Sequence, residues 1–141
     1  MTVIRYRLIL VASVAAALMS AGLSLITSWL PPELRAYVEA ANDAPLTPTE
    51  VVAGSLGVLS GVAALVACFG LWRFRLWGRP LAVIATALGL AAGLGFGPAV
   101  QSVWAQFVYD TGGLLWGALL AVSYWSALSD RFVRVNSSDD R

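Results

Sequence analysis

The sequence predicts an all-α integral membrane protein in which four transmembrane helices form an up-down bundle. Hydrophobic residues make up 59% of the chain and charged residues only 12%, a composition that suits lipid surroundings better than water. Charge-free apolar runs recur along the chain. Most of them are close in length to a helix that crosses a bilayer, which needs about 20 residues. Arginines gather at alternate ends of these runs, which favours an even number of crossings.

One transmembrane domain is predicted over residues 1–128, followed by a flexible cytoplasmic tail over 129–141. The predicted spans cover about 8–30, 48–72, 80–97 and 110–128. The tail is predicted to be disordered because its polar residues offer little apolar surface to bury.

The residue types that are missing exclude several classes of function. The chain has no histidine, and Cys68 is its one cysteine. The sequence therefore rules out four kinds of site: a disulfide within the chain, a metal site of cysteine and histidine, a haem held by histidine and a Ser-His-Asp triad. The net charge of +1 gives no basis for nucleic-acid binding. The sequence predicts no catalytic constellation, no enzyme activity, no cofactor and no nucleic acid as a partner.

The first span follows a short basic segment. Arg5 and Arg7 precede an apolar run over 8–30, and Pro31 and Pro32 end it. A secretory signal peptide begins in the same way, but its apolar region has about 7–15 residues and ends at a small-residue cleavage site. Because the run is longer than that, we interpret it as an uncleaved spanning helix.

A short amphipathic helix is predicted in the first extracytoplasmic loop. Leu34, Tyr37, Val38 and Ala41 recur at helical spacing and form one apolar stripe. Such a helix can lie on the membrane surface or cap the bundle as a connector. A lid over a substrate site is the alternative for this segment.

The second span has a clear start. The segment from Thr47 to Glu50 is a capping box with Pro48 at the first helical position, so the helix is predicted to begin at Pro48. Further along, Gly57 and Gly61 form a small-xxx-small pattern. In lipid, small residues let helix backbones approach closely, so this face is predicted to contact another helix.

A turn rich in arginine and tryptophan joins the second and third spans. Tryptophan prefers the interface between lipid and water, and arginines near a span stay on the cytoplasmic side. Five residues are therefore predicted to anchor the helices at the membrane surface: Trp72, Arg73, Arg75, Trp77 and Arg79.

The third span carries the most regular pattern in the chain. Ala85, Gly89, Gly93 and Gly97 follow one another at intervals of four residues. This stripe is predicted to pack against a neighbouring helix, within the bundle or in a dimer. Glycines that line a pore are the alternative. Pro98 then ends the span.

The fourth span has two alternative registers. If Asp110 is the N-cap, the span covers 110–128 and the carboxylate lies in the interface. If the helix begins near Ser102, Asp110 lies about 12 Å inside it, where an acidic side chain is costly and usually functional. The first register is favoured because it buries no charge. Gly113 and Gly117 add a further small-residue face for helix packing.

The distribution of arginine predicts the orientation. Of the arginines, only Arg35 lies in an extracytoplasmic loop, and the others lie at the N-terminus, in the central turn or in the tail. The positive-inside rule therefore places both termini in the cytoplasm. Abundant alanine and glycine without any lysine suggest a GC-rich bacterial genome, so the bacterial cytoplasmic (inner) membrane is the predicted location.

The predicted function is that of an interaction, assembly or structural component of the membrane. Its predicted partners are the lipid bilayer and either a second copy or another membrane protein, bound through the glycine-lined helix faces. The alternative is a small oligomeric transporter or channel in which Asp110 binds a proton or a cation.

Overall fold

Helices are the only regular elements in the part of the chain that the computed structural model describes, which is residues 2–26, 30–96, 102–125 and 132. Five helices follow in order: α1 (Val3–Ser24), α2 (Pro32–Asp43), α3 (Pro48–Trp72), α4 (Gly78–Gly95) and α5 (Val103–Trp125). Three of them, α1, α3 and α4, are long and apolar enough to cross a membrane. The predicted all-α fold is confirmed, whereas the fourth crossing and the orientation stay predictions.

The first long helix, α1, begins and ends earlier than the predicted first span. Its N-cap is Thr2, whose hydroxyl accepts a hydrogen bond from the Arg5 N–H at 3.4 Å. This cap places Arg5 and Arg7 within the first turns of the helix and not ahead of it. The helix ends at Ser24, before the predicted limit at Leu30.

The predicted amphipathic helix is present as α2, from Pro32 to Asp43. Proline suits its first position because that residue has no N–H to leave unpaired. Leu34 and Tyr37 on the apolar stripe are 40% and 55% exposed. The described part of the chain thus leaves this stripe open, as expected of a helix that a membrane surface covers.

The helix α3 has the predicted bounds, Pro48–Trp72. The Thr47 hydroxyl accepts a hydrogen bond from the Glu50 N–H at 3.3 Å, and the Thr47 N–H donates to the Glu50 carboxylate at 2.7 Å. This reciprocal pair is the predicted capping box. It satisfies two backbone donors that a helix start otherwise leaves unpaired.

The four long helices pack as two antiparallel pairs. One pair is the hairpin of α3 and α4, and the other is formed by α1 and α5. Contacts between the pairs, from α4 to α5 and from α1 to α3, are fewer. An apolar groove is left between α1 and α3, lined by side chains that include Leu10, Leu18 and Cys68.

Small residues lie between the helices, and many large apolar residues face outward. The buried positions of the α3–α4 hairpin include Ala53, Ala67, Ala82, Ala85 and Ala92. By contrast, Leu65, Leu90 and Leu94 are 65%, 70% and 90% exposed. Lipid tails are as apolar as leucine, so a membrane protein gains little by burying large side chains and packs through small ones. The distribution agrees with a location in a membrane.

One side-chain hydrogen bond crosses each of three helix contacts. They run from the Ser20 hydroxyl to the Ala105 carbonyl (3.1 Å), from the Ser60 hydroxyl to the Ala85 carbonyl (2.8 Å) and from the Trp116 indole N–H to the Thr86 hydroxyl (2.9 Å). Such bonds contribute about 0.6 kcal/mol on average in membrane proteins. They therefore fix which residues face each other more than they hold the helices together.

Candidate functional site

The turn between α3 and α4 closes through a backbone motif centred on Phe74. The Arg75 N–H donates to the Gly70 carbonyl at 2.8 Å, and the Phe74 N–H donates to the Leu71 carbonyl at 3.2 Å. These two bonds define a Schellman motif. Phe74 has φ = 56°, in the left-handed region that costs a bulky residue about 1–3 kcal/mol. Glycine is the usual residue there, so contacts of the Phe74 ring must offset the cost.

Those contacts come from an aromatic cluster of Tyr6, Phe74 and Phe132. The ring centroids lie 5.5 Å apart for Tyr6 and Phe74, 5.1 Å for Phe74 and Phe132, and 6.4 Å for Tyr6 and Phe132. Both pairs that include Phe132 are edge-to-face, which the charge distribution of aromatic rings favours. The aromatic cluster joins the start of α1, the turn and the segment after α5 at one end of the molecule.

Arg79 is buried beside the aromatic cluster, which corrects its prediction as a surface anchor. Because α4 begins at Gly78, Arg79 lies in the first turn of the helix, and its side chain reaches Tyr124 near the C-terminal end of α5. Its guanidinium lies 3.9 Å from the Phe132 ring centroid and 5.5 Å from that of Tyr124, and the residue is 9% exposed.

Aromatic rings lie next to the Arg79 guanidinium. Within the described residues, neither its Nε nor its Nη2 has a hydrogen-bond partner. A cation over an aromatic ring gains about 2 kcal/mol or more where water is excluded. The rings of Phe132 and Tyr124 therefore supply attraction that offsets the removal of this cation from water.

The other predicted anchors remain accessible around the turn. Trp72 and Trp77 are 40% and 42% exposed, Arg73 is exposed, and Arg75 is half-buried. The Arg7 guanidinium lies 4.7 Å from the Trp72 ring centroid, which links α1 to α3 at this end of the molecule. A position of these residues at the membrane surface stays a prediction.

The backbones of α3 and α4 touch at Gly70 and Gly78. A Cβ atom at Gly78 would lie 2.7 Å from the Gly70 carbonyl carbon, and one at Gly70 would lie 2.8 Å from the Gly78 Cα. At Gly78 the obstructing atoms are all backbone, so no side chain can move aside, whereas at Gly70 the Trp77 ring also lies 2.8 Å from the added Cβ. Sequence inspection missed this contact, although the two glycines stand at equal distances on either side of Phe74, where a tight hairpin brings its arms together.

Two of the glycines predicted to pack lie on the α3–α4 contact. A Cβ atom at Gly89 would lie 2.9 Å from the Ser60 Oγ, and one at Gly57 would lie 4.0 Å from the Ala92 Cβ. Four other predicted positions would meet nothing within 4 Å: Gly61, Gly93, Gly113 and Gly117. These four do not pack against the described helices of this chain, and their packing against a partner stays a prediction. Gly97 lies outside the described residues.

Asp110 lies inside α5 and not at its start. The helix begins at Val103, and the Ser102 hydroxyl accepts a hydrogen bond from the Ala105 N–H at 3.1 Å, as an N-cap does. The prediction that Asp110 caps a helix beginning at residue 110 is therefore wrong. The alternative register, with a start near Ser102, is confirmed. The predicted end of this span lies outside the described residues.

The Asp110 side chain is on the exposed face of α5. The Gln106 side-chain amide donates to its Oδ1 at 2.9 Å. On the opposite face, a Cβ atom at Gly112 would lie 3.1 Å from the Ala16 Cβ of α1. An amide and a carboxyl group at this spacing can bind a proton, a cation or a donor from another molecule. The side chains of Gln106 and Asp110 are both exposed on the described structure.

Phe132 falls in the segment predicted to be a flexible tail, 129–141. It is 0% exposed, so at this position the tail prediction is wrong. A single aromatic side chain supplies the apolar surface that the polar composition of the segment did not indicate. The other residues of that segment lie outside the described part of the chain.

Comparison with protein-family models, with curated proteins and with solved structures gives no significant match to this chain, so its function is inferred from the residues described above.

Proposed function

We propose that the chain is an assembly component of a bacterial cytoplasmic membrane, which it crosses four times, and that it binds another membrane protein. The observation that carries this proposal is the composition of the outer face of α5. The hydrogen-bonded pair of Gln106 and Asp110 shares this face with the open glycines Gly113 and Gly117. Helices associate in lipid through small residues and interhelical hydrogen bonds. The face therefore has the composition of a helix contact.

The outer faces of α3 and α4 differ from that of α5. All three helices expose large apolar side chains, such as Leu65, Leu90 and Leu114, which lipid tails surround without loss, but α3 beyond Glu50 and α4 carry no acidic or amide side chain. A polar pair has no such partner in lipid, where an unsatisfied polar group is costly. The contrast supports an assembly that covers this face of α5.

A first prediction concerns the size of the assembly. After gentle solubilisation of its native membranes, the tagged chain is expected to migrate in a native gel with a stoichiometric partner, well above its own 14.9 kDa. The double variant Gly113→Leu with Gly117→Leu should release it, because branched side chains prevent close approach of two helices. The control Leu94→Ile keeps an outward apolar side chain and should leave the complex intact. Migration of the wild-type chain as a monomer would contradict the proposal.

A second prediction concerns topology. Reporter fusions after Arg79 and at Arg141 are expected to give a cytoplasmic signal, and a fusion near Asp43 an extracytoplasmic one. The reason is the concentration of arginine at the termini and in the central turn, which stays on the cytoplasmic side. A cytoplasmic signal at Asp43 would overturn this orientation.

The aromatic cluster supports the proposed topology. Tyr6 near the N-terminus, Phe74 in the turn and Phe132 after α5 are in mutual contact. Three such segments can meet at one side of a membrane only if the helices between them cross it an even number of times.

A small oligomeric transporter or channel is the second candidate, and the position of Asp110 inside α5 favours it. In that case Asp110 would bind a proton or a cation in a pathway formed between copies. A transport phenotype that survives Asp110→Glu and is lost in a folded Asp110→Asn variant would identify this function.

A further inference from the structure

The pairing of α1 with α5 determines the depth of Asp110 along the helices. Ala105 accepts a hydrogen bond from Ser20, and Gly112 faces Ala16. Asp110 is therefore level with the stretch of α1 between Ala16 and Ser20. At about 1.5 Å per residue, this level lies about 15 Å from Arg7. With Arg7 at the predicted edge of the first span and α5 as the proposed fourth crossing, Asp110 would lie near the centre of the hydrocarbon core, which is about 30 Å thick.

The Asp110 side chain points away from the chain's own helices at this depth. Ala105, Gly112 and Leu119 are buried on the face of α5 that packs inward. Asp110 is exposed, as are Gly113 and Gly117, which follow three and seven residues later on the same side of the helix. A neighbouring helix could approach this face closely, because no atom of the other described helices lies within 4 Å of a Cβ at either glycine.

An acidic side chain at this depth needs a partner that the described chain does not provide. At the centre of a spanning helix, an aspartate side chain is expensive to place in lipid. The amide of Gln106 satisfies one oxygen of the carboxyl group, whereas a carboxylate has about four acceptor sites. A cation is the partner that neutralises the group as well as donating to it.

A second copy of the chain does not bring such a cation. Its arginines lie near the predicted helix ends, in the loops or in the tail. In the same orientation, a second α5 would place another Asp110 and Gln106 at this level, and like charges oppose each other. Charge complementarity therefore favours a different protein as the occupant.

We propose that the outer face of α5 docks a transmembrane helix of a partner protein that carries an arginine or a lysine near the bilayer centre. The cationic side chain binds Asp110, and Gly113 and Gly117 give the partner backbone room to come close. This inference rests on the proposed assembly function and names the chemistry of its partner.

The test uses synthetic transmembrane peptides as probes. A leucine-alanine helix with one central arginine and a matched helix with leucine at that position are each reconstituted with the full chain in phosphatidylcholine vesicles. Energy transfer between labelled peptide and labelled chain is titrated against the mole fraction of peptide. The arginine helix is expected to bind at least about tenfold more tightly, which corresponds to about 1.4 kcal/mol.

Variants of the chain locate the effect at Asp110. Asp110→Asn should remove most of the preference for the arginine helix, and Asp110→Lys should replace it with a preference for a helix carrying central glutamate. Thr111→Val is the matched control. The Thr111 hydroxyl donates to the Phe107 carbonyl of its own helix at 2.8 Å, and Thr111 is next to Asp110 in the sequence but outside the proposed docking face. It should retain the full preference. The circular dichroism of each variant confirms that the helices are folded.

Two results would overturn the inference. One is equal binding of the arginine and leucine helices to the wild-type chain. The other is energy transfer between two labelled copies of the chain that Asp110→Asn abolishes, which would make the occupant a second copy. If the chain still migrates with a stoichiometric partner in native gels, either result removes the cationic partner and leaves the assembly function standing. A chain that migrates as a monomer but binds the arginine helix more tightly than the leucine helix would contradict the assembly function and support the cation-binding face.

Discussion

Replacing Gly78 with alanine is expected to lower the free energy of unfolding by about 3 kcal/mol, at the upper end of the usual cost of overpacking. The added Cβ would lie 2.7 Å from the Gly70 carbonyl carbon and 2.8 Å from the Leu71 nitrogen. Both are backbone atoms of α3, so relief requires the two helices to move apart. The preference of a helix for alanine over glycine is at most about 1 kcal/mol at this first position of α4, which is too little to offset the overlap.

Glycines further along α4 provide a graded control for this prediction. Gly89→Ala should cost less, because the atom in its way is the Ser60 hydroxyl oxygen at 2.9 Å, which can rotate at the expense of its hydrogen bond to Ala85. Gly93→Ala meets nothing within 4 Å and should be neutral or stabilising. The unfolding midpoints in mixed micelles, titrated with dodecyl sulfate, measure the series. Equal midpoints for Gly78→Ala and Gly93→Ala would disprove the backbone contact.

Phe132→Ala is expected to cost about 3–5 kcal/mol, the usual loss for a buried phenylalanine. The side chain is 0% exposed and contacts both Tyr6 and Phe74, and its ring lies over the Arg79 guanidinium. The same dodecyl sulfate titration measures the loss. Phe107, which is 64% exposed, supplies the control: Phe107→Ala should change stability by about 0.5 kcal/mol or less.

A double-mutant cycle separates the cation from the packing. Phe132→Leu keeps an apolar side chain but removes the ring face. In an Arg79→Met background no cation remains, so the loss caused by Phe132→Leu is expected to be about 1–2 kcal/mol smaller there. The same loss in both backgrounds would mean that the ring acts by packing alone.

Elements with local signals were predicted well from the sequence. The capping box gives the start of α3, and the arginine- and tryptophan-rich turn gives its end, so both bounds agree with the structure. The amphipathic spacing that begins at Leu34 likewise predicted α2. In each case the residues that decide the boundary are neighbours in the sequence, and no distant contact overrides them.

The start of α5 could not be read locally, because two residues compete for the same role. Ser102 and Asp110 are both good N-caps, and the register that begins at Asp110 was favoured because it buries no charge. The contact of Ala105 with Ser20 of α1 lies on the earlier part of the helix. Tertiary packing thus stabilises the longer helix although it carries a carboxyl group inside.

The glycine stripe was predicted at the right helix, but within the described chain only its first part, Ala85 and Gly89, packs against α3. Residues four apart on a helix turn by about 40° around its axis at each step. A stripe that starts at Ala85 has therefore rotated by about 80° when it reaches Gly93. The buried face of α4 uses steps of three and seven residues, through Ala82, Ala85 and Ala92. Regular spacing in a sequence marks small residues but does not determine which of them a neighbour covers.

The aromatic cluster had no sequence signal strong enough to predict it. Tyr6, Phe74 and Phe132 are separated by more than fifty residues at each step, and each stands in a different kind of segment. Only the antiparallel packing of two helix pairs brings these segments to one end. The unusual backbone of Phe74 follows from the same contact, because its ring is held between the other two.

The separation of α1 and α5 along the chain has a consequence for biosynthesis. The hairpin of α3 and α4 joins consecutive helices, so it can close as soon as α4 leaves the ribosome. By contrast, α1 waits for a partner roughly 80 residues later, which at about 5–20 residues per second takes on the order of 4–16 seconds. During that interval the face of α1 with Ser13 and Ser20 has no permanent neighbour. Of the long helices, α1 is therefore expected to depend most on the insertion machinery to keep it from other nascent chains.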